Sequence, residues 1–107
     1  MAPPPIEPSH QQVLEFCARD PVERVFLEDV ARRGLGRFYG VVQKDGTLAS
    51  LCHVGANLVP SGENCDVFAD AAADSGSRMI IGDERAVGEL WRAVEDRLPR
   101  PREDRPG

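Results

Sequence analysis

The stretch RFYGVVQKDGTLASLCHV, Arg37 to Val54, decides the fold. Two runs rich in β-branched and aromatic residues, 37–43 and 47–54, flank Lys44-Asp45-Gly46. Asp-Gly between two such runs is a strong hairpin signal, because a tight primed turn needs positive φ. A short third strand is read at Asn57-Leu58-Val59, ending at Pro60. The centre of the chain is therefore an antiparallel meander, and the helices must pack around it.

Upstream, Ser9 and Gln12 form a capping box, in which the hydroxyl accepts a free N–H and the amide reaches back. Val13, Leu14, Phe16 and Cys17 give that first helix a short apolar face, and Pro21 stops it near Arg19. Asp20 as N-cap, Pro21 at the first helical position and Glu23 open a second helix. Its apolar stripe is Val22, Val25, Phe26 and Val30, broadened by Leu27. Arg32 and Arg33 suit its negative end, and Gly34 is a left-handed stop.

Downstream, Cys65, Phe68, Ala69 and Ala72 follow helical spacing until Gly76. Arg78–Ile81 reads as a short apolar strand. Asp83 caps a last helix whose stripe is Val87, Leu90, Trp91, Val94 and Leu98. The order is α-α-β-β-β-α-β-α. It predicts a mixed α/β (α+β) fold, with a sheet of about four strands, one parallel crossover and helices on both faces.

The whole sequence has 107 residues, room for one domain. Residues 1–8 are proline-rich and expected to be disordered or extended, 9–98 hold the fold, and 99–107 read as a Pro/Arg-rich linker or cut end. A net charge of −5 argues against nonspecific nucleic-acid binding and an anionic membrane surface. Three cysteines without a CxxC pair make a poor disulfide or zinc framework, so reduced thiols in a cytoplasmic protein, with no metal site, are expected. Neither a signal peptide nor a transmembrane run is legible.

Candidate chemistry is thin. Cys52 and His53 are adjacent in a strand and point to opposite faces, so they do not pair as nucleophile and base. A packed Cys52 and a surface or sheet-covered His53 are expected. Cys65 reads as core and His10 as solvated. Glu28 and Asp29 read as a solvated face and Trp91 as core, with an interface as its other place. Arg32–Gly40 looks Gly- and Arg-rich, but it follows a helix and precedes a strand, the reverse of a phosphate loop. Asn57, with Gly55 and Pro60, is the polar group open to two readings: it satisfies turn backbone, or it contacts a ligand or an adjoining domain.

CARDPVERVFLEDVARRGLGRFYGVV (17–42) followed by LASLCHVGANLVPSG (48–62) resembles a bacterial domain of unknown function that precedes the catalytic domain of GNAT-family N-acetyltransferases. The resemblance covers roughly residues 13–105, and its most specific words are RDPV and GANLVP. It implies a partial GNAT-like fold and, as partner, a GNAT catalytic domain in cis or trans. In the GNAT fold, the loop after the third meander strand wraps the pyrophosphate of acetyl-CoA. That loop carries Gln or Arg, two residues, Gly, one residue, then Gly or Ala. Here the position holds Ser61, Gly62, Glu63 and Asn64, followed by Cys65 and Asp66. No Gln or Arg leads a Gly-x-Gly set, and Glu63 and Asp66 put negative charge where phosphate would sit. The expectation is therefore an accessory domain without catalytic residues or cofactor of its own, acetyl-CoA belonging to the full-length family. Tyr39 precedes the loop, so the general-acid role that a tyrosine plays in some GNAT enzymes does not carry over to it. Because the sequence stops at Gly107, within what the resemblance marks as a linker, truncation is expected. The alternative is a free-standing interaction or small-ligand module, with self-association open; a complete small acetyltransferase ranks last.

Overall fold

A computed structural model of the chain describes residues 4–77 and 79–97. Helices α1 (His10–Ala18) and α2 (Val25–Arg33) precede strands β1 (Arg37–Val42), β2 (Leu48–Val54) and β3 (Leu58–Gly62). A 3-10 turn (Cys65–Phe68) leads into α3 (Ala69–Ser75), and α4 (Glu84–Val94) closes the described fold. The fold is mixed α+β, and its sheet has three strands, antiparallel in the order β1-β2-β3.

The hairpin forms as expected, with a different turn. Lys44-Asp45-Gly46 is a three-residue loop in which only Gly46 has positive φ (+89°), so it is not a primed turn. Gly46 N–H donates to Gln43 O at 2.9 Å, and Asp45 Oδ1 accepts from Thr47 N at 3.0 Å. A bulge follows: Val41 faces Ser50 and Val42 faces Leu48, leaving Ala49 as the extra residue.

Strand periodicity splits the core in two. Leu48, Leu51 and Val59 pack with Val13, Phe16, Cys17, Leu27 and Ala31 of α1 and α2. Cys52 and Leu58 pack on the opposite face with Cys65, Phe68, Ala72, Ala86, Leu90 and Val94. Helices thus cover both faces. Each fully buried Leu or Phe contributes about 1.5–3 kcal/mol, which is why the alternation sets the register.

The expected fourth strand shrinks to one parallel bridge. Leu58 N–H donates to Met79 O and Ile81 N–H to Leu58 O, both at 2.9 Å. Gly82 then turns away at φ +134°, and Asp83 caps α4 by accepting from Ala86 N. The segment is too short to be a strand; Arg78 lies outside the described residues. Pro60 sits on this same outer edge of β3, where a residue without N–H leaves no donor exposed. On the far edge, Ile6 exchanges two 2.8 Å backbone hydrogen bonds with Gly40, so residues 4–8 run extended along β1. Met1–Pro3 and residues 98–107, including Leu98 and the linker, lie outside the description.

Two helix expectations need correction. Asp20–Arg24 is a turn, and α2 starts at Val25; Asp20 Oδ1 accepts from Glu23 N at 3.4 Å, capping the turn rather than the helix. Consequently Val22, Val25 and Phe26 are exposed, and Leu27, Val30 and Ala31 face the core. On α4 the buried line is Ala86, Leu90 and Val94, and Trp91 is 44% exposed rather than core. The capping box at Ser9/Gln12 and the left-handed stops at Gly34 and Gly76 form as read.

Candidate functional site

Two places carry the residues singled out in the sequence. The first is the bend from β3 into the 3-10 turn, Ser61 to Cys65. Gly62 has φ +97°, and a Cβ there would stand 2.5 Å from Ala49 O and 2.7 Å from Ser50 Cα. Glycine is needed because β2 lies against it, and Ala49, displaced by the bulge, points its carbonyl at the bend. Glu63 N–H donates to that carbonyl at 3.5 Å. Asn64 is left-handed at φ +56°, a conformation asparagine tolerates better than most residues.

Where the turn begins, the free N–H of Cys65 donates to Glu89 Oε1 of α4 at 3.1 Å. Glu89 Oε2 lies 3.9 Å from Arg85 Nε. An anionic oxygen therefore already sits at the donor that a phosphate loop would offer. Burial, with the Glu89 and Asp66 carboxylates adding, pushes the Cys65 thiol up to about 12.

In front of the bend is a polar cleft of about 230 Å³ edged by Asp20, Glu23, Glu63 and Asp83, with Arg24 and Arg85. Arg24 is committed elsewhere. Its guanidinium stacks 3.7 Å over the Phe16 ring, donates to Ser61 Oγ at 3.0 Å and donates to Phe16 O at 2.7 Å. Desolvation by burial lowers its pKa first of all. Arg24 thus ties the 20–24 turn to α1 and β3.

The second place is a cleft of about 390 Å³ between α2 and the β2–β3 turn. Gly55 and Asn57 line it, beside Val59, Phe26, Leu35 and His53. Pro60 does not; it lines a neighbouring groove with Phe26, Val59 and Ile81. Gly55 N–H donates to Asn57 O at 3.1 Å, and Ser77 Oγ donates to Gly55 O at 2.8 Å. The Asn57 carbonyl closes the turn, and Asn57 lines the cleft.

His53 is the member that sequence reading set aside. It is sheet-covered, 5% exposed, and its ring wedges between two glycines. A Cβ on Gly36 would stand 2.6 Å from Nε2, and one on Gly55 2.9 Å from Cε1. The ring is 4.9 Å from Phe38 and edge-on to Phe26 at 6.3 Å, centroid to centroid. Nε2 is 2.7 Å from Leu35 O, and since a carbonyl only accepts, Nε2 carries the proton. Buried Nδ1 has no hydrogen-bond partner among the described residues. The signal available in sequence was the Gly36/His53/Gly55 set, whose significance depends on the strand pairing that brings the three together.

A model of a domain of unknown function (DUF4081) matches residues 36–107. The chain belongs to the DUF4081 family. No curated protein and no solved structure matches it. The DUF4081 match takes in the sheet, the bend at Gly62 and the helices that follow; α1 and α2 precede it. Both places described above thus have one wall inside the DUF4081 span and one outside it.

The remaining residues play structural parts. Cys52, buried on the α3/α4 side, lies across the sheet from His53, as strand geometry requires. Burial pushes its thiol up to about 12. Glu28 and Asp29 pair with Arg32 and Arg33 on the exposed face of α2. His10 is exposed. Among the described residues no group of His, Cys, Asp and Glu could hold a metal ion, and no helix is long and apolar enough to cross a membrane.

Proposed function

We propose that this DUF4081 domain is an accessory, GNAT-like domain that packs against a GNAT N-acetyltransferase catalytic domain, in cis or in trans, and takes no acetyl-CoA itself. The observation that carries this reading is the Glu89 carboxylate on the Cys65 N–H at 3.1 Å. In a cofactor-binding GNAT domain the corresponding donors face pyrophosphate. Here a phosphate would meet a carboxylate at close range, with Glu63 and Asp66 beside it, and like charges at that distance oppose binding. The element order, two helices, a three-strand meander, a helical segment, a short parallel pairing with β3 and a final helix, supports the GNAT likeness.

A packing role is supported by apolar side chains left in solvent. Val22 is exposed in the turn before α2 and Val25 and Phe26 at its start, with Leu35 and Ile81 near the grooves that Phe26 lines. Such exposure is a usual mark of a surface that meets another protein. The compartment that fits this role is the cytoplasm, where acetyl-CoA is made.

Isothermal titration of the chain with acetyl-CoA tests the reading: no saturable heat is expected, and micromolar affinity would overturn it. Sequencing the DNA on either side of the coding region tests the partner, since an adjoining acetyltransferase catalytic sequence is expected. The second reading, a free-standing small-ligand module, draws on the His53 cleft.

A further inference from the structure

We propose that the cleft beside His53 binds a small, uncharged, planar ring compound that donates one N–H or O–H proton to His53 Nδ1. The inference does not rest on the argument against acetyl-CoA, because none of the residues of the bend at Gly62 lines this cleft, although Phe26 and Leu35 belong both to it and to the exposed apolar surface described above.

The tautomer comes first. Leu35 O holds the proton on Nε2 at 2.7 Å, which leaves Nδ1 of the neutral ring with a bare lone pair. That atom is buried and unpartnered among the described residues. A buried acceptor without a donor is costly to leave unmade, so a ligand supplying the donor recovers that cost on binding.

The surroundings specify the rest. Phe26 is 46% exposed and its ring stands perpendicular to that of His53, so part of its area is open to a flat ring. Val30, Val59 and Leu35 add aliphatic walls. The full charges at the rim, Asp29 and Arg33, bind each other at 3.3 Å, which favours an uncharged ligand. A cleft of about 390 Å³ suits a molecule of one or two rings. A Cβ on Gly55 would lie 3.6 Å from Nδ1, so the glycine lets the turn come close to that atom. The Gly55–Asn57 turn is held by two hydrogen bonds, and a ligand that reaches buried Nδ1 must displace it.

The full chain, labelled with nitrogen-15, is titrated with indole as donor probe and N-methylindole as the matched probe without a donor. The imidazole nitrogens of His53 and the amides of Gly55, Ala56 and Asn57 are followed by NMR. Indole is expected to move His53 Nδ1 and these amides saturably, and N-methylindole to bind about tenfold or more weakly. His53→Gln keeps a donor for Leu35 O and moves the remaining acceptor from the Nδ1 position to an amide oxygen; it should stay folded and show a weaker preference for indole over N-methylindole. Gly55→Ala fills the approach and provides a second variant, expected to weaken indole. Equal binding of the two probes, no saturable shift at millimolar indole, or a long-lived water already bonded to Nδ1 in the free chain would each overturn the proposal.

Discussion

Glu89 of α4 accepts a hydrogen bond from the backbone N–H of Cys65, 24 residues earlier, at 3.1 Å. One carboxylate thus caps the 3-10 turn and joins the last helix to the end of the sheet. Glu89→Ala leaves a donor at the turn unmatched and is expected to cost about 1–2 kcal/mol. Glu89→Gln keeps an acceptor and should cost less. Urea unfolding of the two variants beside the parent chain reads the difference.

Gly62 and Gly76 both have positive φ, but their surroundings differ. A Cβ at Gly62 would press on the β2 backbone, whereas one at Gly76 would meet nothing within 4 Å. Gly76→Ala should therefore carry only the left-handed strain, about 1–2 kcal/mol. Gly62→Ala adds a backbone clash and is expected to cost clearly more, about 3 kcal/mol or greater. Thermal unfolding of the pair separates strain from crowding, and equal losses would contradict the packing described at Ala49.

Burial pushes the Cys52 and Cys65 thiols from an ordinary 9.0 up to about 12. A raised folded-state value favours the thiol form, so this contribution is whole below pH 9 and is lost as the unfolded chain ionises, between about 9 and 12. Urea midpoints should fall as pH rises above 9, and Cys52→Ala should flatten that slope. Below pH 9, a thiol-specific reagent should label these two cysteines only as fast as the chain unfolds.

Arg24 is held by a ring, a carbonyl and a hydroxyl at once. Lysine can replace the charge but not the planar stack with two divergent donors, so Arg24→Lys is expected to cost about 1–2 kcal/mol. Ser61→Ala removes one partner and should cost less. A double-mutant cycle between positions 24 and 61 should show coupling of about 0.5 kcal/mol or more.

The hairpin, the capping box at Ser9 and the stops at Gly34 and Gly76 were legible because each depends on neighbours within a few residues. Cys52 and His53 were assigned to opposite faces by alternation alone, and Cys52 packs toward α3 and α4 while His53 lies against Phe26 of α2. Phe26 and Trp91 were misplaced for one reason. Helical spacing says which residues share a stripe, but the α2 start at Val25 and the neighbours of α4 decide which stripe turns inward. The Ile80 segment was apolar enough for a strand, yet Gly82 and the Asp83 cap leave it only one bridge with Leu58.

By itself the sequence determined the order of the helices and of the first three strands, the antiparallel meander and the acidic bend after β3, since all of these follow from local propensity and charge. Tertiary structure alone decided that Glu89 reaches Cys65, that Gly62 is glycine because β2 presses on it, and that His53 lies between Gly36 and Gly55 with one nitrogen unmatched. Those relations join residues far apart in the chain, and only the pairing of strands and the docking of helices bring their atoms within hydrogen-bonding range.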